Sequence, residues 1–488
     1  MLFNSIDFLI FFPVVTILYF LLQHKCRTYL LLTASCIFYA TFIPVYILVL
    51  FLMICVDYFA GLLIEKATDI RIKKRYLIGS ILSTLSVLFI FKYYNFFVGN
   101  FDFIAQLLHI DYSINSLKIL LPIGLSFHTF QSMSYVIEVY WGRQKAEKNF
   151  LIYSLYVMFF PQLVAGPIER PQNLLPQFYE EHYFDYERVV GGLRRMLWGF
   201  LKKIVVADRL AIFVNVVYNN PTDFTGLPLI LATLAFAFQI YYDFSGYSDI
   251  AIGAAQVMGF RLMENFKMPY GSKSINEFWK RWHISLSSWF RDYLYIPLGG
   301  NRVTVPMWYL NLIIVFLASG LWHGASWTYI IWGLLHGFYL VFSLATREFK
   351  DKLFNFLGVF NYPKILIFLK VFFTFFLVNL GWVFFRANSL NDAFYIFRHL
   401  FNSLGEQIVN VLSLDFGKIL PFSFSNYIAT FLVVFIVEYG QFFILKYGWS
   451  EISFGIPKFY RYIIYYTVFL LIIFLGQFGK NQFIYFQF

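Results

Sequence analysis

Residues 306–344 read PMWYLNLIIVFLASGLWHGASWTYIIWGLLHGFYLVFSL. They resolve into two apolar runs, 306–321 and 327–344, joined by the small residues Gly324, Ala325 and Ser326. A helix crossing a bilayer needs about 20 predominantly apolar residues, and each run approaches that length. Working outward, the same pattern recurs at 6–22, 29–41, 45–64, 76–97, 117–140, 227–241, more weakly up to Phe260, and again at 365–385, 427–445 and 460–475. The expectation is an all-α polytopic membrane protein of about 11–12 transmembrane helices, in one membrane domain over residues 1–488. Composition agrees: 60% of residues are hydrophobic and 13% charged, against about 25% charged in an ordinary soluble domain.

The net charge of +11 does not point to nucleic acid. Lys and Arg fall in short loops between apolar runs: Lys25 and Arg27, then Lys66, Arg71, Lys73, Lys74 and Arg75, then Arg143, Lys145 and Lys148. Those loops alternate in phase with the first five spans. By the positive-inside rule they are cytoplasmic and the N-terminus is outside. The first apolar run has no basic segment before it and no small-residue cleavage site after it, so it reads as a retained helix and not a signal peptide. Cys26, Cys36 and Cys55 have no metal-ligand spacing.

The middle of the chain is irregular. FLIYSLYVMFFPQLVAGPIERPQNLLPQF (150–178) holds Pro161, Gly166, Pro167, Pro171 and Pro176. Such broken backbone is tolerated at membrane depth only where protein or a cavity covers it, which suggests a re-entrant segment. The basic amphipathic stretch 188–209 reads as a helix lying along the cytoplasmic interface. Residues 261–303 are the most charged part of the chain.

Three clusters carry candidate chemistry. In LASGLWHGASWTYIIWGLLHGFYL (317–340), His323 and His336 sit among apolar residues, and a neutral imidazole can act as general base near pH 7. Gly320, Gly324, Ala325 and Ser326 would let a substrate approach the backbone. The plainer reading is that each histidine hydrogen-bonds a neighbouring helix. Were 323–336 one continuous helix, the two rings would stand roughly 20 Å apart on different faces, so at most one would be the base. In NEFWKRWHISLSSWFRDYLYIPLGGNR (276–302), His283 either belongs to an interfacial helix with tryptophan anchors or reaches a cavity shared with His323. In QIYYDFSGYSD (239–249), Asp243 and Asp249 flank a flexible Ser-Gly. That arrangement suits a transporter-like cation site or a loop cap.

These stretches, with FFPQLVAGPIERPQNLLPQF (159–178), YYDFSGYSDIAIGAAQVMGF (241–260) and GWVFFRANSLNDAF (381–394), resemble the membrane-bound O-acyltransferase family, in its bacterial alginate O-acetylase-like branch. The resemblance covers essentially the whole length. It implies a ring of helices around a thin centre, with funnels from both faces meeting at a histidine. It implies transfer of an acyl group from a cytoplasmic thioester, acetyl-CoA as donor with no bound cofactor, to a hydroxyl. The family's catalytic WHG histidine falls on His323, and its second polar position on His283. It further implies a bacterial plasma-membrane location, an extracytoplasmic acyltransferase partner and an envelope polysaccharide as final acceptor.

The closing residues QFIYFQF (482–488) read as an aromatic anchor by composition. They also resemble a C-terminal aromatic-Tyr motif of envelope acylation systems, which would make Tyr485 an acyl relay. Lys280, Arg281 and Arg291 are expected to attract the phosphates of CoA. Two other readings are D-alanyl transfer to teichoic acid and, from a different class, a secondary transporter or lipid flippase.

Overall fold

The computed structural model describes every residue except 111–113, 165, 357, 359–360, 414–423, 456, 479–482 and 485–488. Among the described residues there is helix but no strand, as expected of a chain that must satisfy its backbone within lipid. Among the described residues, eight helical segments are long and apolar enough to cross a membrane, including Tyr46–Lys66, Ile70–Leu107, Val305–His323, Trp327–Ala345 and Pro363–Arg386. Other stretches counted as spans in the sequence form shorter helices, Ile6–Leu21, His24–Ala40 and Leu125–Tyr140. On Pro363–Arg386 the aromatic rings of Phe368, Phe372 and Phe376 are exposed while Thr374, Val378, Asn379 and Trp382 are buried. An apolar outer face with polar atoms turned inward suits a helix solvated by lipid.

The chain divides into two compact units. The first holds Met1–Met196 and Tyr247–Glu264, the second Leu197–Gly246 and Asn265–Phe488. In the first unit most of the irregular stretch is buried, Pro161, Pro167 and Pro171 included, while Gln172, Asn173 and Pro176 are exposed. It folds as short helices, Phe150–Met158, Phe160–Leu163 and Pro171–Gln177. Side chains satisfy the freed backbone: Ser35 Oγ accepts from the Phe160 N–H at 3.0 Å, and Gln162 Nε2 donates to the Tyr156 carbonyl at 2.8 Å. Glu169 Oε1 accepts from the Met263 N–H at 2.6 Å. Buried Asp57 is surrounded by the hydroxyls of Ser80, Thr84 and Ser132.

The DFSG stretch is not a flexible loop. Leu227–Met258 is one continuous helix through it. Its glycines serve close helix crossing. A Cβ on Gly253, in the first unit, would stand 2.6 Å from the Gly192 carbonyl oxygen. A Cβ on Gly246, in the second, would stand 2.9 Å from the Gly199 carbonyl oxygen and 3.1 Å from the Lys203 nitrogen. The stretch 188–209 is not one exposed amphipathic helix throughout. Its helix Tyr186–Phe200 continues into a buried π-helical turn, Leu201–Ala207. Arg195 is buried against Asp249 and Glu264 in the first unit, so the amphipathic pattern records internal ion pairs as well as a polar face.

Candidate active site

The second unit assembles the histidines. Val305–His323 and Trp327–Ala345 are separate helices, broken at Gly324 and restarted by Ser326, whose hydroxyl caps the Thr328 N–H at 3.3 Å. They pack against one another through glycines. A Cβ on Gly320 would lie 2.3 Å from the Tyr329 carbonyl oxygen, one on Gly333 2.3 Å from that of Phe316, and one on Gly324 2.2 Å from the Tyr329 ring. Small residues let membrane helices approach closely. The space beside Gly320 and Gly324 is therefore filled by Tyr329 and its helix, and is not open to substrate.

Because the helix breaks, His323 and His336 are not roughly 20 Å apart. Both touch Trp332, at ring-centroid distances of 4.9 and 5.1 Å. Their environments differ. His336 Nδ1 accepts the Trp279 indole N–H at 3.3 Å, and its Nε2 lies where a Cβ on Gly381 would approach to 2.9 Å. It is wedged into the packing. His323 ends its helix, 2% exposed, between Trp322, Trp332 and Phe385 with centroids 5.0, 4.9 and 5.2 Å away.

His283 is brought to the same place from another element. It precedes the short helix Ile284–Phe290, is fully buried, and has φ +43°. A non-glycine residue in the left-handed region is uncommon and concentrates at functional sites. Its ring lies 5.9 Å from Trp322, which also neighbours His323 at 5.0 Å. One indole therefore contacts both imidazoles. Trp279, Trp282 and Trp289 are buried too, so this stretch is not an interfacial helix with tryptophan anchors.

Asn265, which sequence reasoning missed, fixes the His283 tautomer. Its Oδ1 receives the Ser285 N–H at 3.3 Å and the Ser285 hydroxyl at 2.8 Å, and it lies 3.2 Å from His283 Nδ1. A backbone N–H can only donate, so the atom facing it is the amide oxygen. His283 Nδ1 must then carry the proton, leaving Nε2 with a lone pair. Burial pushes the His283 imidazole down to about 3, so the ring is neutral at physiological pH. A polar residue eighteen positions ahead of a histidine gives no local signal of this pairing.

Of the other expected residues, Lys280 is exposed. Arg281 pairs with Glu277 at 2.5 Å and Arg291 with Asp292 at 2.7 Å. Tyr485 lies outside the described residues, but Phe483 and Ile484 before it are buried. Arg386, in the GWVFFRAN stretch, is a further buried polar residue with no role assigned from its sequence context. Its guanidinium donates to Asn215, Asn219 and Asn388, and the preceding Phe385 packs on His323. The available signal was an arginine ending an apolar span.

A buried pair of imidazoles on a shared tryptophan, within an all-α membrane scaffold, is the kind of site that intramembrane group transfer needs. Residues 147–387 match MBOAT, the membrane-bound O-acyltransferase family, and the chain belongs to that family: it is a multi-pass membrane O-acyltransferase. Among individual proteins it is 44% identical to the probable alginate O-acetylase AlgI of Pseudomonas aeruginosa, over 82% of this chain and 75% of that one. It is 38% identical to the peptidoglycan O-acetyltransferase of Helicobacter pylori, over 80% and 78%. It is 31% identical to the teichoic acid D-alanyltransferase of Bacillus subtilis, over 44% and 56%. Family membership displaces the transporter and flippase readings. The two aspartates that suggested a cation site are each held by a cation of the protein itself, Asp243 by Lys203 and Asp249 by Arg195.

Proposed function

We propose that this enzyme moves an acetyl group from cytoplasmic acetyl-CoA across the plasma membrane for O-acetylation of an envelope polysaccharide, with its N-terminus outside. The observation that carries the reading is Trp322 in ring contact with both His283 and His323, in a chain whose relatives over most of its length bear the names of O-acetyl-transferring enzymes. The D-alanyl reading has weaker support, because that likeness spans under half of the chain.

In the proposed step the acceptor hydroxyl oxygen attacks the thioester carbonyl and its proton passes to His323. The C–S bond breaks, the acetyl ester forms, and CoA leaves as the thiol after taking up that proton. His283, with a lone pair on Nε2, suits accepting a hydrogen bond or proton, not polarising the thioester carbonyl through an N–H. Lys280, Arg281 and Arg291 are proposed to draw in the CoA phosphates through charge-assisted contacts. Tyr485 is proposed to take the acetyl group first and hand it to an extracytoplasmic acyltransferase partner. A phenol, with pKa near 10, leaves more readily than an aliphatic alcohol, so its ester stays reactive.

The test is release of free CoA thiol from acetyl-CoA by the purified protein in detergent. Turnover is expected from the wild type, with a roughly 10²–10⁴-fold loss in folded His323→Ala, the usual scale for a general base. Wild-type turnover in His323→Ala overturns the mechanism. For the relay, Tyr485→Phe is expected to block polymer acetylation at normal protein level. Full acetylation would reduce the tail to an aromatic anchor.

A further inference from the structure

The second unit buries a charge cluster that the acyl-transfer step does not use. Lys203 Nζ stands 2.7 Å from Asp208 Oδ1 and 2.7 Å from Asp243 Oδ1, and none of the three side chains is more than 3% exposed. Local backbone geometry builds it. Five residues along an α-helix turn about 500°, putting the side chains roughly 140° apart. The π-helical turn at Leu201–Ala207, in which the Asp208 N–H bonds the Lys203 carbonyl, instead stacks residues five apart. Gly246, one turn beyond Asp243, lets the two backbones close until Lys203 meets Asp243.

One ammonium between two carboxylates leaves a formal excess of negative charge. The cluster also contacts a distant segment of this same chain. Asp243 Oδ2 accepts the Ile484 backbone N–H at 2.7 Å. Phe483 and Ile484 are 0% and 2% exposed. Phe483 stacks edge-on to Phe244 at 5.5 Å, and Phe244 meets the His283 ring at 4.6 Å. Upstream, the Gln477 N–H donates to the Ile204 carbonyl at 3.0 Å, so the π-helical turn holds the approach to the segment while Asp243, on the helix Leu227–Met258, holds Ile484.

We propose that the Lys203–Asp208–Asp243 cluster is a docking site for the chain's own 483–484 segment, and that Asp243 is a positioning residue that sets the segment's register beside His283. A carboxylate is suited to this because each oxygen accepts, one from the ammonium and one from the amide N–H. An asparagine in its place would turn an NH₂ donor toward one of two donors. Aspartate at this position thus does what its isostere cannot. The consequence for acyl transfer rests on the Tyr485 relay proposed above, because residue 485 follows directly.

The test is hydrogen exchange of the full-length protein in detergent, read on peptides covering 478–488, together with polymer acetylation. The Ile484 amide is expected to be protected in the wild type and to exchange at least tenfold faster in Asp243→Asn. Ile484→Pro removes the N–H and leaves the cluster intact. It is expected to lower polymer acetylation at least tenfold relative to thioester hydrolysis. A wild-type amide that exchanges like an unstructured peptide overturns the docking, whether or not Asp243→Asn folds. Unaltered acetylation in Ile484→Pro overturns the positioning role. If the amide is protected but Tyr485→Phe acetylates polymer normally, docking stands and the relay alone falls.

Discussion

His283 joins three unusual properties in one residue: complete burial, positive φ, and a tautomer dictated by Asn265. Its lowered proton affinity has a stability consequence with a definite sign. The unfolded ring takes up a proton near its ordinary 6.5, whereas the folded ring does so near 3. Between these values the unfolded state binds more protons, so His283 leaves stability whole above pH 6.5 and erodes it as pH falls toward 3. The slope from one such group is at most about 1.4 kcal/mol per pH unit. Melting of His283→Gln between pH 6.5 and 4.5 is therefore expected to be flatter with pH than that of the wild type. Parallel curves would mean that the ring is not held neutral. Asn265→Ala is expected to lower turnover while leaving KM for acetyl-CoA nearly unchanged, because it frees the ring without touching the donor. A change confined to KM would contradict this. His336→Ala, by contrast, is expected to act through packing. It empties a site against Trp279 and Trp332, so folded yield falls more than turnover per folded molecule.

Among the elements, the glycine-mediated hairpin of Val305–His323 and Trp327–Ala345 sets where His323 stands. Gly324→Ala inserts a methyl where the Tyr329 ring already lies, so it is expected to displace the second helix and cost activity and thermal stability together. Tyr329→Ala in the same background is expected to restore part of the stability, since the clash is with that ring. Absence of rescue would place the glycine's role in the backbone. The stretch 275–291 tests the donor proposal. Charge-neutral substitution of Lys280, which is exposed, is expected to raise KM for acetyl-CoA. Arg281 and Arg291 already hold carboxylates and are expected to have smaller effects. An unchanged KM on all three returns these charges to membrane topology.

For the molecule as a whole, the spacing of apolar runs and the basic loops between them determined the all-α membrane architecture, because the bilayer sets span length and leaves backbone groups no partner but their own helix. The WHG and RWH stretches offered His323 and His283 as candidates, and both rings lie against Trp322. Topology itself stays open to a direct check: a tag after Phe488 is expected to be reached from outside the cell, and a cytoplasmic tag would remove the relay. Other features depended on folding. The break between the runs 306–321 and 327–344 was legible in the sequence, but only packing brought both His323 and His336 onto Trp332, because an apolar pattern does not say how two helices will face one another. DFSG lies inside a helix, and Asp243 and the later Asp249 meet Lys203 and Arg195, partners distant in sequence. Asn265 and the seat of Ile484 on Asp243 join residues 18 and 241 positions apart. Periodicity records which face of a helix is apolar, but not which partner a buried polar atom will meet. That choice is made only when the packed helices leave each buried donor and acceptor a single neighbour within reach.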